Sequence, residues 1–225
     1  MRKSPFVTVE GVDGSGKSSH VESIIRHLEK EGWEVVSVRE PGGTPLGEKI
    51  REILLHDEMS VRAEILLAFA SREHLLETVI RPALDRNCAV VCDRFTDSTY
   101  AYQGGGRGGP VEMIRRLEEQ LHGDLQPDLT FIFDLPVEVS KKRLSGTGKK
   151  PDKFESQSNE YFEAVRSAYL ARAAGSSRFR IIDSSQPMAA VEKAVSEQMG
   201  QWKEGVSTED ENRNAVQKKA PQARG

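Results

Sequence analysis

The run Gly11-Val12-Asp13-Gly14-Ser15-Gly16-Lys17-Ser18 constrains the fold of this chain more than any other feature. It has the form G-x-x-x-x-G-K-[ST]. It follows the apolar run Phe6-Val7-Thr8-Val9 and precedes a stretch, Ser19 to Glu31, with helical spacing. Strand, loop and helix are all required for such a loop to hold an anion: glycines let the backbone wrap it, and successive N–H groups and the helix N-terminus point at it. Gly11 to Ser19 then form the phosphate cradle of a nucleoside triphosphate, Lys17 reaches the outer phosphates, and the Ser18 hydroxyl is placed to ligate Mg²⁺.

Apolar strand candidates alternate with longer helical patterns, the signature of an α/β fold with a mainly parallel sheet. The strands expected are Pro5–Glu10, Glu34–Val38, Ala89–Cys92, Leu129–Phe133 and Phe179–Ile182. Helices are expected over Ser19–Glu31, Leu46–Leu55, Val61–Asp85, Val111–His122, Val137–Leu144, Ser158–Ala173 and Met188–Trp202. Together they specify a P-loop NTPase fold, a three-layer sandwich with five strands between helices. In such sheets ligands bind beyond the C-terminal strand ends, so the loops after Gly11, Arg39, Asp93 and Leu135 should share one face.

A length of 225 residues suits one domain, expected over 1–203. Within it, 145–155 is small, flexible and basic, as a lid over phosphates would be. Residues 204–225 are polar and poor in large apolar groups, and disorder is expected there. The net charge of −3 gives no electrostatic footprint for nucleic acid. The two cysteines, Cys88 and Cys92, lie on one apolar stretch and read as buried, reduced thiols. No apolar run reaches the length of a membrane span and no signal-peptide core is present, so a soluble cytoplasmic protein is expected. The five histidines show no metal-ligand spacing.

The loop alone leaves ATPases, switches, transporters and kinases open. Asp93-Arg94 ends the third strand, where a carboxylate can organise Mg²⁺ and its waters and Arg94 adds a forked cation. Arg39, Arg51 and Arg72 fall in segments expected to face the same cleft. Transfer between two anions requires neutralisation of both and their alignment in line. A switch would hydrolyse nucleotide without an acceptor, and no Asn-Lys-x-Asp guanine-reading motif occurs.

The phosphate loop with Asp13, Arg39-Glu40-Pro41-Gly42-Gly43-Thr44, Ala70-Ser71-Arg72, Asp93-Arg94, Ser98-Thr99-x-Ala101-Tyr102-Gln103-Gly-Gly-Gly-Arg107-Gly, Gln126-Pro127-Asp128-Leu129-Thr130 and Asp152-Lys153-Phe154-Glu155 resemble the thymidylate kinase family, in order from about Pro5 to Trp202. The resemblance implies γ-phosphoryl transfer from ATP to dTMP with Mg²⁺, giving dTDP and ADP for dTTP and DNA synthesis, in a homodimer built on helix packing. It also implies roles for individual residues. Asp13 would accept from the acceptor's 3′-hydroxyl, and Arg51 and Arg94 would hold its phosphate. Arg39 and Glu40 would belong to the acceptor site. Arg72 would reach the thymine carbonyl edge, Ser98, Thr99 and Gln103 would read the base or its surroundings, and Tyr102 would close over the deoxyribose.

Two departures from the family pattern stand out. The aromatic residue that stacks on thymine in many members falls here at Ala68, with Phe69 one residue along. One residue turns a helical side chain by about 100°, so Phe69 belongs either to the base site or to the core. The loop also lacks an arginine at Gly14 or Ser15. The catalytic cation is then expected from the lid, among Lys149, Lys150, Lys153 and the preceding Arg143, with Lys153 favoured. A kinase for another nucleotide, such as dUMP, is the nearest alternative.

Overall fold

A computed structural model describes the backbone of residues 4–146, 148 and 150–219, and the side chains up to 203. The five strands are β1 (Phe6–Glu10), β2 (Val35–Arg39), β3 (Ala89–Asp93), β4 (Leu129–Asp134) and β5 (Phe179–Asp183). They form one all-parallel sheet in the order β2-β3-β1-β4-β5. Each lies within a residue of its expected bounds. β1 is central, with Val7 in register with Val91 and Leu129.

Side chains alternate across a strand, so β1 sends Val7 and Val9 to one face and Phe6, Thr8 and Glu10 to the other. On the first face α1 (Lys17–Lys30) and α9 (Met188–Lys219) cover the sheet, with Ile24, Leu28, Val191, Val195 and Met199 packed on Val7, Val9, Phe131 and Phe133. On the second face, α3 (Val61–Leu75) and α4 (Arg81–Asp85) cover Phe6, Val90 and Cys92. α8 (Asn159–Ala174) covers Ile132 through Phe162, Val165 and Tyr169. Burying each of these large side chains contributes about 1.5–3 kcal/mol. Both cysteines are free and buried.

Caps set several starts. α2 (Pro45–His56) opens with Thr44 Oγ1 accepting from Gly47 N at 2.9 Å and Pro at its first position. Ser60 and Ser158 cap α3 and α8 likewise. α1 has no side-chain cap and is preceded by Gly16, φ 82°, so its first N–H groups are left for an anion. The remaining helices are α5 (Thr96–Thr99), α6 (Val111–His122) and α7 (Val137–Ser145).

Three stretches depart from expectation. The helix expected over Met188–Trp202 runs on to Lys219 as α9, so 204–219, where disorder was expected, is helical backbone. The helix expected over Val61–Asp85 is interrupted by a π turn, Leu76–Ile80, where Arg81 N reaches Leu76 O. Pro82 follows, and a widened turn relieves the clash its ring would make with the preceding carbonyls. A helical segment absent from the expected list also occurs. α5 runs into a second π turn, Tyr100–Gly106, closed by Arg107 N to Tyr102 O at 2.9 Å. Its three glycines have poor helix propensity, but α8 lies too close to two of them, Gly105 and Gly106, for side chains. A Cβ on Gly105 would stand 2.6 Å from that of Ala168, and one on Gly106 would stand 2.5 Å from the Tyr161 ring.

Candidate active site

The phosphate loop leaves β1 at Gly11 and enters α1 at Lys17. A Cβ on Gly11 would lie 2.5 Å from Phe133 O, and Gly14, φ 76°, is pressed onto Ser140 O, so neither position admits a side chain. The hydroxyl of Ser140 donates to Asp13 O and ties α7 to the loop. Val12 and Ser15 are buried, and Ser19 N closes on Gly16 O at 3.1 Å. Lys17 Nζ donates to Val12 O at 3.3 Å and stands 3.9 Å from Asp13. Burial, with the nearby charge of Arg94, brings its pKa down to about 8. Arg143 of α7 borders the loop: a Cβ on Gly16 would be 3.6 Å from its Nη1, and its Nη2 donates to Ser184 O at 2.9 Å.

Ser18 Oγ donates to Asp93 Oδ2 at 2.9 Å, and Asp93 Oδ1 is buried without a hydrogen-bond partner. A hydroxyl beside an orphaned carboxylate oxygen suits a hard cation such as Mg²⁺. Arg39 pairs with Glu48 at 2.7 Å and lines an open cleft with these two residues, not the pocket beside it.

That pocket lies between the loop and α3, with a cavity volume of about 100 Å³. Asp13, Glu40, Arg51, Arg72 and Arg94 line it, as do Ser98, Thr99, Tyr102 and Gln103. Arg94 is its hub. It donates to Gly11 O at 3.0 Å, Ser98 Oγ at 3.2 Å, Tyr102 OH at 3.0 Å and the Asp13 carboxylate. Its backbone is left-handed, φ 71°, a sparsely populated state for a side-chain-bearing residue. Burial opposes the charge on Asp13, but Arg94 and Lys17 outweigh it and hold the carboxyl below its ordinary range. Tyr102 OH donates to the other Asp13 oxygen at 2.7 Å. Arg51 donates to Pro41 O at 3.1 Å, and its pKa is lowered by burial and by the charges of Arg39 and Arg94. Such mutual repulsion favours an anion between Arg51 and Arg94.

Arg72 is fixed deep in α3. Its Nε donates to Glu40 at 2.8 Å, its Nη2 to Thr99 Oγ1 at 3.0 Å, and its guanidinium lies 4.7 Å from the Phe69 centroid. Nη1 is buried with no partner, a donor available to a carbonyl in the pocket. Burial raises Glu40 to about 7 against the pull of Arg72. Ala68 lines the pocket; Phe69 packs with Ile65, Tyr100 and Ile114 and stacks on His122. The offset of one residue therefore puts Phe69 under Arg72, in the core, rather than on the pocket wall.

From the lid side, Asp152 and Phe154 line the pocket. Lys153 points elsewhere, to Glu64 at 3.2 Å and Asp57 O at 2.8 Å. Lys150 is exposed, and Lys149 lies outside the described residues. Sequence reasoning missed Glu10, which ends β1 and accepts from Phe95 N at 2.7 Å, Ser98 Oγ at 2.6 Å and Tyr169 OH at 2.9 Å. Burial and the neighbouring Asp97 raise it to about 7. Its signal was a charge at an inward strand position next to the loop. Asp97, which binds Arg172 and Arg178, carried no local signal.

A parallel sheet with a phosphate loop on its central strand, beside a pocket holding arginines for a second anion, defines a phosphotransferase of the nucleoside monophosphate kinase class. A thymidylate kinase family model matches residues 9–195, and the chain belongs to that family. The relatives agree. It is 56% identical over 199 residues to a thymidylate kinase of Methylobacillus flagellatus, covering 88% of this chain and 98% of that one. It is 52% identical over 194 residues to thymidylate kinases of Pseudomonas entomophila and Pseudomonas fluorescens, covering 84% of this chain and 92% of each. The family's reaction is phosphoryl transfer from ATP to dTMP.

Proposed function

We propose that this chain transfers the γ-phosphoryl group of ATP to dTMP by direct in-line displacement, yielding dTDP and ADP. The observation that carries the reading is the buried, unpartnered Arg72 Nη1 in a pocket that also holds Arg51, Arg94 and Asp13. A thymine carbonyl would satisfy the first and a monophosphate the next two, leaving Asp13 for the deoxyribose hydroxyl. The uncharged N–H groups of the loop, with Lys17, would hold the donor phosphates. Ser18 and Asp93 are the residues that would hold Mg²⁺, which when bound neutralises phosphate charge. Arg94, shared between Asp13 and the pocket, would align the acceptor, and positioning with fixed charge supplies most of the acceleration.

Among the lid cations, Arg143 already borders the loop, whereas Lys153 would have to leave Glu64 to approach it. Exposed Ile53 on α2 and Leu66 on α3 support a homodimer through those helices. No helix among the described residues is long and apolar enough to cross a membrane, in keeping with a cytoplasmic enzyme. We assign 1–203 to the kinase domain, with a lid at about 145–155, and no function to 204–225. Incubation with γ-labelled ATP and dTMP tests the reading: label should appear in dTDP, and label released only as inorganic phosphate would refute it.

A further inference from the structure

We propose that Glu64, on α3 and outside the pocket, is a positioning residue that fixes two walls of the acceptor site at once. Its carboxylate is 1% exposed. Oε1 stands 3.2 Å from Lys153 Nζ and 3.5 Å from Arg107 Nη2, and Oε2 accepts from Gln103 Nε2 at 3.1 Å. These partners come from the lid segment, the end of the second π turn and the turn itself. All three are far from Glu64 in sequence, so only the fold brings them to it.

What the partners carry gives the contact its meaning. Lys153 lies between Asp152 and Phe154, both of which line the pocket. Its ammonium also donates to Asp57 O at 2.8 Å, and its backbone N to Leu55 O at 3.2 Å. The lid segment is thus latched to the α2–α3 connection, with Phe154 held edge-on to Tyr102 at 5.9 Å. Gln103 also lines the pocket, and donation of its Nε2 to Glu64 fixes which way its amide faces. Arg107 anchors the same turn through Met59 O at 3.3 Å. One buried charge therefore holds the lid wall and the base-side wall in register. Loss of that charge leaves the Lys153 ammonium and the Arg107 guanidinium without their shared buried partner and frees both walls. Lys153 is accordingly a latch on the acceptor side, not the cation of the transferring phosphate.

The inference rests on the acceptor reading of the pocket and deepens it. Steady-state kinetics of Glu64→Gln, Lys153→Gln and the double variant test it, with hydrogen exchange of the amides of 152–155. Glu64→Gln should raise KM for dTMP about tenfold, with kcat and KM for ATP within about threefold, as expected for lost acceptor positioning. Lys153→Gln should change KM in the same direction, and the double variant should be no worse than Glu64→Gln, because both act through one contact. Exchange at 152–155 should quicken in each. Additive effects, unchanged KM, or a fall in kcat alone for Lys153→Gln would overturn the proposal. If Glu64→Gln fails to fold, Lys153→Gln decides by the same KM and exchange criteria. If the unaltered protein ignores dTMP, the acceptor reading fails on its own, and faster exchange in Glu64→Gln still reports the latch.

Discussion

The guanidinium of Arg94 closes on the carboxylate of Asp13, joining the end of β3 to the phosphate loop beside β1. Tyr102 completes the contact from the second π turn. One side chain thus sees both halves of the reaction: Asp13 belongs to the donor loop and also lines the acceptor pocket. Asp13→Asn keeps the shape and removes the charge. It should lower kcat for dTMP by about 10²-fold, within the range for lost positioning of the acceptor and of Arg94, while ATP binding measured by calorimetry stays close to that of the parent protein. Loss of ATP binding with unchanged chemistry would place Asp13 in the donor site only.

Phe69 and Ala68 exchange the roles that their spacing from Arg72 left open. Phe69→Leu, a change within the core, should cost about 1 kcal/mol in denaturant unfolding and leave KM for dTMP within about threefold. A KM raised tenfold at unchanged stability would put the ring against the base.

The close approach of α8 to the second π turn makes Gly105 sensitive. A Cβ there would meet Ala164 O at 2.9 Å as well as the Ala168 methyl. Gly105→Ala should destabilise by about 1–3 kcal/mol by overpacking, read as a lower denaturant midpoint at unchanged slope. Full stability would mean that the segment moves aside freely.

Glu40 ties stability to pH. Its folded pKa of about 7 lies above its ordinary 4.5, so the folded state keeps a proton that the unfolded chain has released. That contribution is complete below about pH 4.5 and is lost as pH rises through about 7. The stability of the parent protein relative to Glu40→Gln should therefore fall by up to about 3 kcal/mol over this interval. Glu10 and His122, which titrate in both proteins, largely cancel from the difference. A flat difference across the interval would show that Glu40 is ionised throughout.

The strands were legible because β-branched and aromatic runs alternate with helical spacing, and the loop after β1 could be placed from its glycines and lysine. Arg51, Arg72 and Arg94 were legible as a set because each follows a strand or sits on a helix facing the same sheet edge. What could not be read depends on side chains far apart in sequence. Glu64 meets Lys153 and Gln103 only through the fold, and Asp97 meets Arg172 on α8 and Arg178 just before β5. The segment 96–106 hid its helix because packing against α8, not propensity, selects Gly105 and Gly106. Phe69 was ambiguous because one residue of helical phase separates a pocket wall from the core.

The most direct test of the central claim is ADP release from Mg·ATP in a coupled assay with dTMP, dUMP, dCMP or no acceptor. Release that depends strongly on dTMP is the predicted result, and it would show that Ala68 is tolerated at the base site. Slow release indifferent to every acceptor would contradict it and remove the acceptor roles of Arg51, Arg72 and Arg94.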